Sequence, residues 1–246
     1  MVTANRKRLM KRSIQCYKNQ TYRNKELVII DDGEQDLSGA LEMIPEDELV
    51  YKKLERTPDN TLGKLRNISL DAANGDYMVQ WDDDDWYHPR RIELQAEVID
   101  AGYDACCLSA ALMHLDDPTY MEHPYVGVLP EGIPGSIMHR RDEEIRYPHT
   151  RRAEDTVYMK DWMDKKYTKL QDEYAYLFIR CYHGSNTWEK DHFLRRIRNN
   201  PIDFIRFVWF KYLRNDLFAH PKFNLTNKQL QTFKQYLIES QKLNLL

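Results

Sequence analysis

The chain has 246 residues, 42% hydrophobic and 30% charged, with 36 Lys and Arg against 39 Asp and Glu for a net charge of −3. That length supports one sizeable core, and the near-neutral balance excludes a global electrostatic attraction to nucleic acid. Cys16, Cys106, Cys107 and Cys181 form no CxxC pair, which argues against a disulfide framework and a zinc site and implies free thiols in a reducing cytoplasm.

Residues 4–22 carry Leu9, Met10, Ser13, Ile14, Cys16 and Tyr17 at helical spacing with basic residues opposite, predicting an amphipathic helix with Asn5 as its N-cap. Leu27 to Ile30 is a short apolar run closed by Asp31-Asp32-Gly33, a buried parallel strand ending in a turn. Residues 36–48 read as helix and loop, and 49–55 as a second strand. A helix over 60–75 follows, with Leu65, Ile68, Leu70 and Ala73 as its stripe and Gly75 as its stop. Tyr77 to Trp81 is a strand running into Asp82-Asp83-Asp84-Asp85, Pro89 opens another helix, and 103–115 is a strand. The alternation predicts an α/β fold whose strand-end carboxylates gather at the ligand-binding edge of the sheet.

The stretch 117–150, with five prolines and three glycines, is loop-rich with short strands. Residues 151–166 read as a helix with Val157, Met159, Trp162 and Met163 as apolar positions, 173–183 as a strand, and the remainder as mostly helical. No apolar run approaches the ~20 residues of a spanning helix, and no apolar segment follows the basic N-terminus, so a soluble protein without a signal peptide is expected.

Four features carry chemistry. Four successive carboxylates between Trp81 and Trp86 repel one another, and a hard divalent cation would offset them while keeping open positions for phosphate oxygens. The alternative is a solvated acidic turn, which flanking tryptophans disfavour. Asp31-Asp32-Gly33 could accept bonds from a base or ribose, or simply form a turn. Asp155 before a helix is either a general base or an ordinary cap. His183, followed by Gly-Ser-Asn, reaches a ligand or is structural.

In combination these residues resemble a family 2 glycosyltransferase of GT-A fold. The matching segments are Thr3 to Arg6, Asn19 to Tyr22, Glu26 to Gly33, Leu65 to Asn67, Gly75 to Tyr77, Trp81 to Pro89 and Arg152 to Asp155, spread over residues 1 to about 190. The resemblance implies a Rossmann-like, mostly parallel mixed sheet flanked by helices, a catalytic domain over 1–195 and a helical extension over 196–246. It implies a nucleotide-sugar donor, UDP-type by expectation, and a glycan or lipid-linked acceptor. It assigns Thr3, Asn5 and Asp32 to the nucleoside, and Asp82 and Asp83 to ribose. Lys64 or Arg66 goes to phosphate, Asp84 and His183 to Mn²⁺ or Mg²⁺, and Asp155 to the base of an inverting displacement. Only Met1 and Val2 precede Thr3, so the expected first strand is very short or the chain is trimmed.

A nucleotidyltransferase on the same sheet would need a glycine-rich phosphate loop, and the nine glycines form none. A sugar-binding or nucleic-acid module could use Arg140-Arg141 and the cluster at 195–198, but the net charge speaks against nucleic acid. The stretch 202–213 is apolar on more than one face. It is expected to pack on the catalytic domain or on a second copy, the alternative being an interfacial helix against anionic headgroups.

Overall fold

The first third alternates strand and helix as its apolar runs require. In the computed structural model, which describes residues 1–246, β1 (Val2–Thr3) leads to α1 (Lys7–Lys18). Then come β2 (Leu27–Asp31), α2 (Ser38–Leu41), β3 (Leu49–Lys53) and α3 (Leu62–Ala72). β1, β2 and β3 form a parallel sheet, with Thr3 opposite Asp31. β1 is indeed only two residues long, and its register sets Thr3 at the carboxyl end of β2. β4 (Tyr77–Val79) and β5 (Trp86–Tyr87) bracket the aspartate run, and α4 (Arg91–Asp100) follows.

The segment 103–115, expected as one strand, is two: β6 (Ala105–Leu108) and β7 (Ala110–Leu115), in different sheets. The break is at Ser109, whose N–H donates to the Leu170 carbonyl and whose hydroxyl donates to Asp172 at 2.5 Å. After β8 (Tyr125–Val128) and β9 (Met138–Arg140) come α5 (Glu154–Met163), β10 (Tyr167–Leu170) and β11 (Phe178–Tyr182). The expected strand over 173–183 starts late, because Asp172–Leu177 form a 3-10 turn. The chain closes with α6 (Lys190–Leu194), α7 (Pro201–Val208) and α8 (Asn227–Lys242). The two remaining sheets run β10-β6-β9-β4 and β5-β11-β7-β8, each mixing parallel and antiparallel pairs. All four cysteines are free and buried.

The main core joins Met10, Ile14 and Tyr17 of α1 to Ile29, Trp86, Phe178 and Ile179, and α8 adds Phe233 and Tyr236. Each such side chain withdrawn from water contributes about 1.5–3 kcal/mol. Residues 196–246 therefore divide in two. α7 and the π-helical turn after it, Trp209–Leu213, lie on the surface, whereas α8 belongs to the main core. Its Tyr236 hydroxyl meets His114 Nδ1 at 2.8 Å, and its Glu239 accepts from Trp86 Nε1 at 2.7 Å.

Three local expectations are corrected. Asn5 does not cap α1; with φ of 58° its Oδ1 turns back to accept from the Glu34 and Gln35 amides at 2.7 and 3.1 Å. Asn tolerates that left-handed conformation better than most residues. Val157 is exposed, and Tyr158 takes the buried position on α5 beside Met159 and Trp162. The stretch 202–213 is not buried on two sides: only Asp203 and Phe207 are covered, and Ile202, Phe204, Ile205, Trp209, Tyr212 and Leu213 are exposed.

Candidate active site

A cavity of about 810 Å³ opens at the carboxyl end of the parallel strands. Its wall includes Thr3 at the end of β1, Arg6 after it, Asp32 after β2, Arg66 on α3, Asp82 to Asp85 after β4, Asp155 on α5 and Arg180 on β11. The volume suits a nucleoside diphosphate carrying a sugar.

The acidic turn is not freely solvated. Trp81 and Trp86 are buried on either side, and Trp81 Nε1 donates to the Ser13 carbonyl at 3.2 Å. The four aspartates have different sets of partners, with Arg6 shared by Asp83 and Asp84. Asp82 accepts from Arg66 Nη2 at 2.9 Å and Gln80 Nε2 at 3.2 Å. Asp83 accepts from the Thr3 hydroxyl at 2.6 Å and from Arg6 Nη1 at 3.2 Å. Asp84 accepts from the same Arg6 nitrogen at 2.8 Å and lies 3.2 Å from His183 Nε2. Asp85 accepts the Cys181 amide at 2.9 Å and so ties the turn to β11.

Burial, then the charge of Asp84, pushes the Asp83 carboxyl up to about 6. Burial also opposes ionisation of Asp84, but the hydrogen bond from His183 and the charge of Arg6 hold it below the ordinary carboxylate range. Arg6 is thus the cation that lies between two clustered carboxylates. Asp84 and His183 offer one hard oxygen and one imidazole nitrogen, Asp84 in the cavity wall and His183 behind it, outside the lining. No group of three or more His, Cys, Asp or Glu side chains closes around a single point. Such a pair of ligands fits a divalent ion that completes its shell with phosphate oxygens.

Asp31 and Asp32 separate by role. Asp31 is absorbed by structure, accepting from the Gly33 amide, the Tyr51 hydroxyl and Lys53 Nζ at 2.8–2.9 Å. Asp32 faces the cavity with Asn60 Nδ2 at 3.5 Å.

α3 explains why Arg66 and not Lys64 reaches the cavity. Residues two apart on a helix point about 200° apart. Arg66 lines the wall and Lys64 does not; the Lys64 amide instead completes the Thr61 cap. Asn67 points to the loop before α5, exchanging two hydrogen bonds of 2.9 Å with the Tyr147 backbone. Gly63 lies so close to the same loop that a Cβ there would meet the Pro148 carbonyl at 1.8 Å. α3 therefore fixes both Arg66 and the approach to Asp155.

Asp155 sits in the first turn of α5, where the helix dipole favours a carboxylate. It is not the cap: Ala153 holds that position with φ of 60° and no side-chain bond. Asp155 Oδ1 accepts from the Thr156 amide at 2.7 Å. Its neighbour Glu154 is buried, 3.2 Å from Arg66 Nε, and burial pushes its carboxyl upward. Three cations of the cavity wall escape sequence reasoning: Arg180, a lone cation within an apolar strand, Arg56 on the loop after β3, and Arg151 on the loop before α5. Arg180 had a readable signal, since a charge inside an apolar strand needs a reason. Across the mouth, the Arg152 guanidinium lies 5.5 Å from the Trp188 ring centre.

The fold that carries this site is of the GT-A type. It is similar to S. aureus TarS 1–349 in complex with UDP-GlcNAc, with a TM-score of 0.59 and 16% identity over 97% of this chain and 79% of that one. Mannosyltransferase PcManGT from Pyrobaculum calidifontis, in complex with GDP-Man and Mn²⁺, matches with a TM-score of 0.53 and 16% identity over 98% of this chain and 73% of that one. The family described as glycosyl transferase family 2 matches residues 1–188, and the chain belongs to it. It is 27% identical to the putative glycosyltransferase EpsE of Bacillus subtilis over 149 residues, 55% of this chain and 53% of that one. It is 41% identical to an uncharacterized glycosyltransferase of Haemophilus influenzae over 80 residues, 31% of each chain. The chain thus matches about half or less of these relatives' length.

Proposed function

We propose that the chain is an inverting glycosyltransferase that moves a sugar from a nucleoside-diphosphate sugar, UDP-type by preference, to a hydroxyl of a glycan or glycolipid. The observation that carries this reading is the convergence of Asp32, Asp82 to Asp84, Arg66 and Asp155 on one cavity. Asp32 accepts from the nucleoside, as Asp82 and Asp83 do from the ribose. Thr3, already hydrogen-bonded to Asp83, acts by holding that carboxylate, and Asn5 acts by holding the turn after Gly33. Asp84 and His183 would hold Mn²⁺ or Mg²⁺, which would neutralise charge developing on the diphosphate.

Asp155 takes the proton of the acceptor hydroxyl as that oxygen bonds to the anomeric carbon. The bond from that carbon to the diphosphate oxygen breaks in the same step, its electron pair leaving with the nucleotide. One direct displacement inverts the anomeric centre. Arg6 and Arg66 supply positive charge beside the departing group.

Release of nucleoside diphosphate from a panel of nucleotide sugars, with Mn²⁺ or Mg²⁺ and a hydroxyl acceptor, tests the proposal. Activity lost in Asp155→Asn supports it. Turnover that persists in both Asp155→Asn and Asp84→Ala would refute it.

A further inference from the structure

The exposed apolar side chains of this protein concentrate in one place. Nine large hydrophobic residues are exposed, and six of them lie on α7 and the π turn: Ile202, Phe204, Ile205, Trp209, Tyr212 and Leu213. A patch of this kind on a single chain marks an interaction surface. Its geometry is defined. Asn200 caps α7 through the Asp203 amide, Phe207 anchors the inner face, and the Arg214 amide donates to the Trp209 carbonyl at 2.9 Å to close the π turn.

Charge identifies the partner. Residues 194–214 contain six cations, Arg195, Arg196, Arg198, Arg206, Lys211 and Arg214, and one carboxylate, Asp203, in a chain whose net charge is −3. That carboxylate is buried, 2.8 Å from Lys222 Nζ and 3.8 Å from Arg206 Nη1, and Arg198 lies 3.5 Å from Asp191, so the surface that remains is apolar with a positive excess. A two-fold contact between copies would set these cations against their own images. A stacking platform for single-stranded nucleic acid would use the aromatic rings but gains nothing from Ile202, Ile205 and Leu213.

We infer that α7 and the π turn dock this protein on the surface of an anionic lipid bilayer. Ile202, Ile205, Trp209 and Leu213 enter the boundary between headgroups and acyl chains, and Arg206, Lys211 and Arg214 lie on lipid phosphates. No helix of the chain is long and apolar enough to cross a membrane, so the contact is peripheral. The patch is also tied to the cavity: Phe193, in the cavity wall, packs in one cluster with Ile197 and Phe207 beneath it. Docking would therefore hold the cavity at a set distance from the bilayer. The inference stands on this surface alone and does not depend on the proposed reaction.

The test is co-sedimentation of the full chain with phosphatidylcholine vesicles, with and without phosphatidylglycerol. Binding is expected only to the anionic vesicles and should weaken in high salt. Ile205→Ser/Trp209→Ser/Leu213→Ser and Arg206→Glu/Lys211→Glu/Arg214→Glu should each reduce it by roughly tenfold or more. Thermal unfolding of the serine variant should stay unchanged, because Ile205, Trp209 and Leu213 are exposed. No binding to either vesicle, or equal binding by either variant, would overturn the inference. So would a dimer in solution that the serine variant dissociates, or binding to single-stranded oligonucleotide in place of vesicles.

Discussion

Arg6 Nη1 lies 2.8 Å from Asp84 and 3.2 Å from Asp83, so one guanidinium nitrogen bridges two carboxylates that burial and mutual repulsion disfavour. Thr3 closes the arrangement by donating to the other oxygen of Asp83. Without that positive charge the turn would carry uncompensated buried anions, which is costly.

Arg6→Ala should therefore lower the melting temperature in EDTA by several degrees, the equivalent of about 1–3 kcal/mol. Mn²⁺ or Mg²⁺ should restore much of the loss, because an ion at Asp84 supplies the missing charge. Differential scanning fluorimetry with and without metal reads this directly. A deficit of equal size under both conditions would show that Arg6 acts only by packing.

Asp84→Ala should abolish the metal-dependent part of nucleotide stabilisation. For the unsubstituted chain, UDP with Mn²⁺ at one hundred times its dissociation constant adds about 2.7 kcal/mol. UDP in EDTA should add far less. Stabilisation by UDP that is the same in EDTA as in Mn²⁺ would end the metal role assigned to Asp84 and His183.

Asp155→Asn preserves the shape of the side chain and the acceptor for the Thr156 amide but removes the base. Turnover should fall about 10²–10⁴-fold, with nucleotide affinity within a few-fold. If the change lowers only thermal stability, the carboxylate serves the α5 dipole and not the chemistry.

Gly63→Ala sets a methyl group into the Pro148 carbonyl. The loop that precedes Asp155 must move, and overpacking of this kind costs about 1–3 kcal/mol. Turnover should fall more than nucleotide binding does, since Asp32 and Asp84 are on other segments. Unfolding in urea and nucleotide titration, run side by side, separate the two effects. Gly39→Ala, where nothing lies within 4 Å, is the control.

Acid should remove the stability that two buried neutral histidines contribute. Burial lowers both His114 and His139 to about 4. Both are satisfied as neutral rings. His139 meets the Arg140 carbonyl and the Tyr158 hydroxyl, and His114 meets the Met121 carbonyl and the Tyr236 hydroxyl. The unfolded chain, with histidines near 6.5, binds the extra protons first. The contribution of these two rings is thus full above about pH 6.5 and falls as pH drops towards 4, by up to about 1.4 kcal/mol per pH unit for each ring, while Asp83, raised to about 6, acts in the opposite sense. Urea midpoints at pH 7 and pH 5 should differ accordingly, and His139→Gln should shrink the difference. A pH dependence left unchanged by His139→Gln would rule out this role for the ring.

The sequence alone determined what local patterns can carry. The apolar runs ending at Asp31 and before Asp82, the helix over 60–75 and the tryptophans around the acidic turn follow from hydrophobic periodicity and the cost of clustered charge, which are local properties. The order of motifs was enough to point to the family. Tertiary structure decided which polar groups face which. Asp31 and Asp32 are adjacent and chemically alike, yet only packing against Tyr51 and Lys53 consumes the first and leaves the second on the cavity. Asn5 looked like a helix cap because nothing in the chain near it shows that the amides of Glu34 and Gln35, some thirty residues away, require an acceptor. Arg6 follows β1, whereas Arg180 and His183 lie on and just after β11, and the placement of these two distant segments around Asp84 and Asp85 depends on how the strands pack. The stretch 202–213 was readable as apolar and basic, but burial is a property of neighbours: only the folded chain left six of its apolar side chains uncovered, because α8 rather than α7 fills the core beside α1.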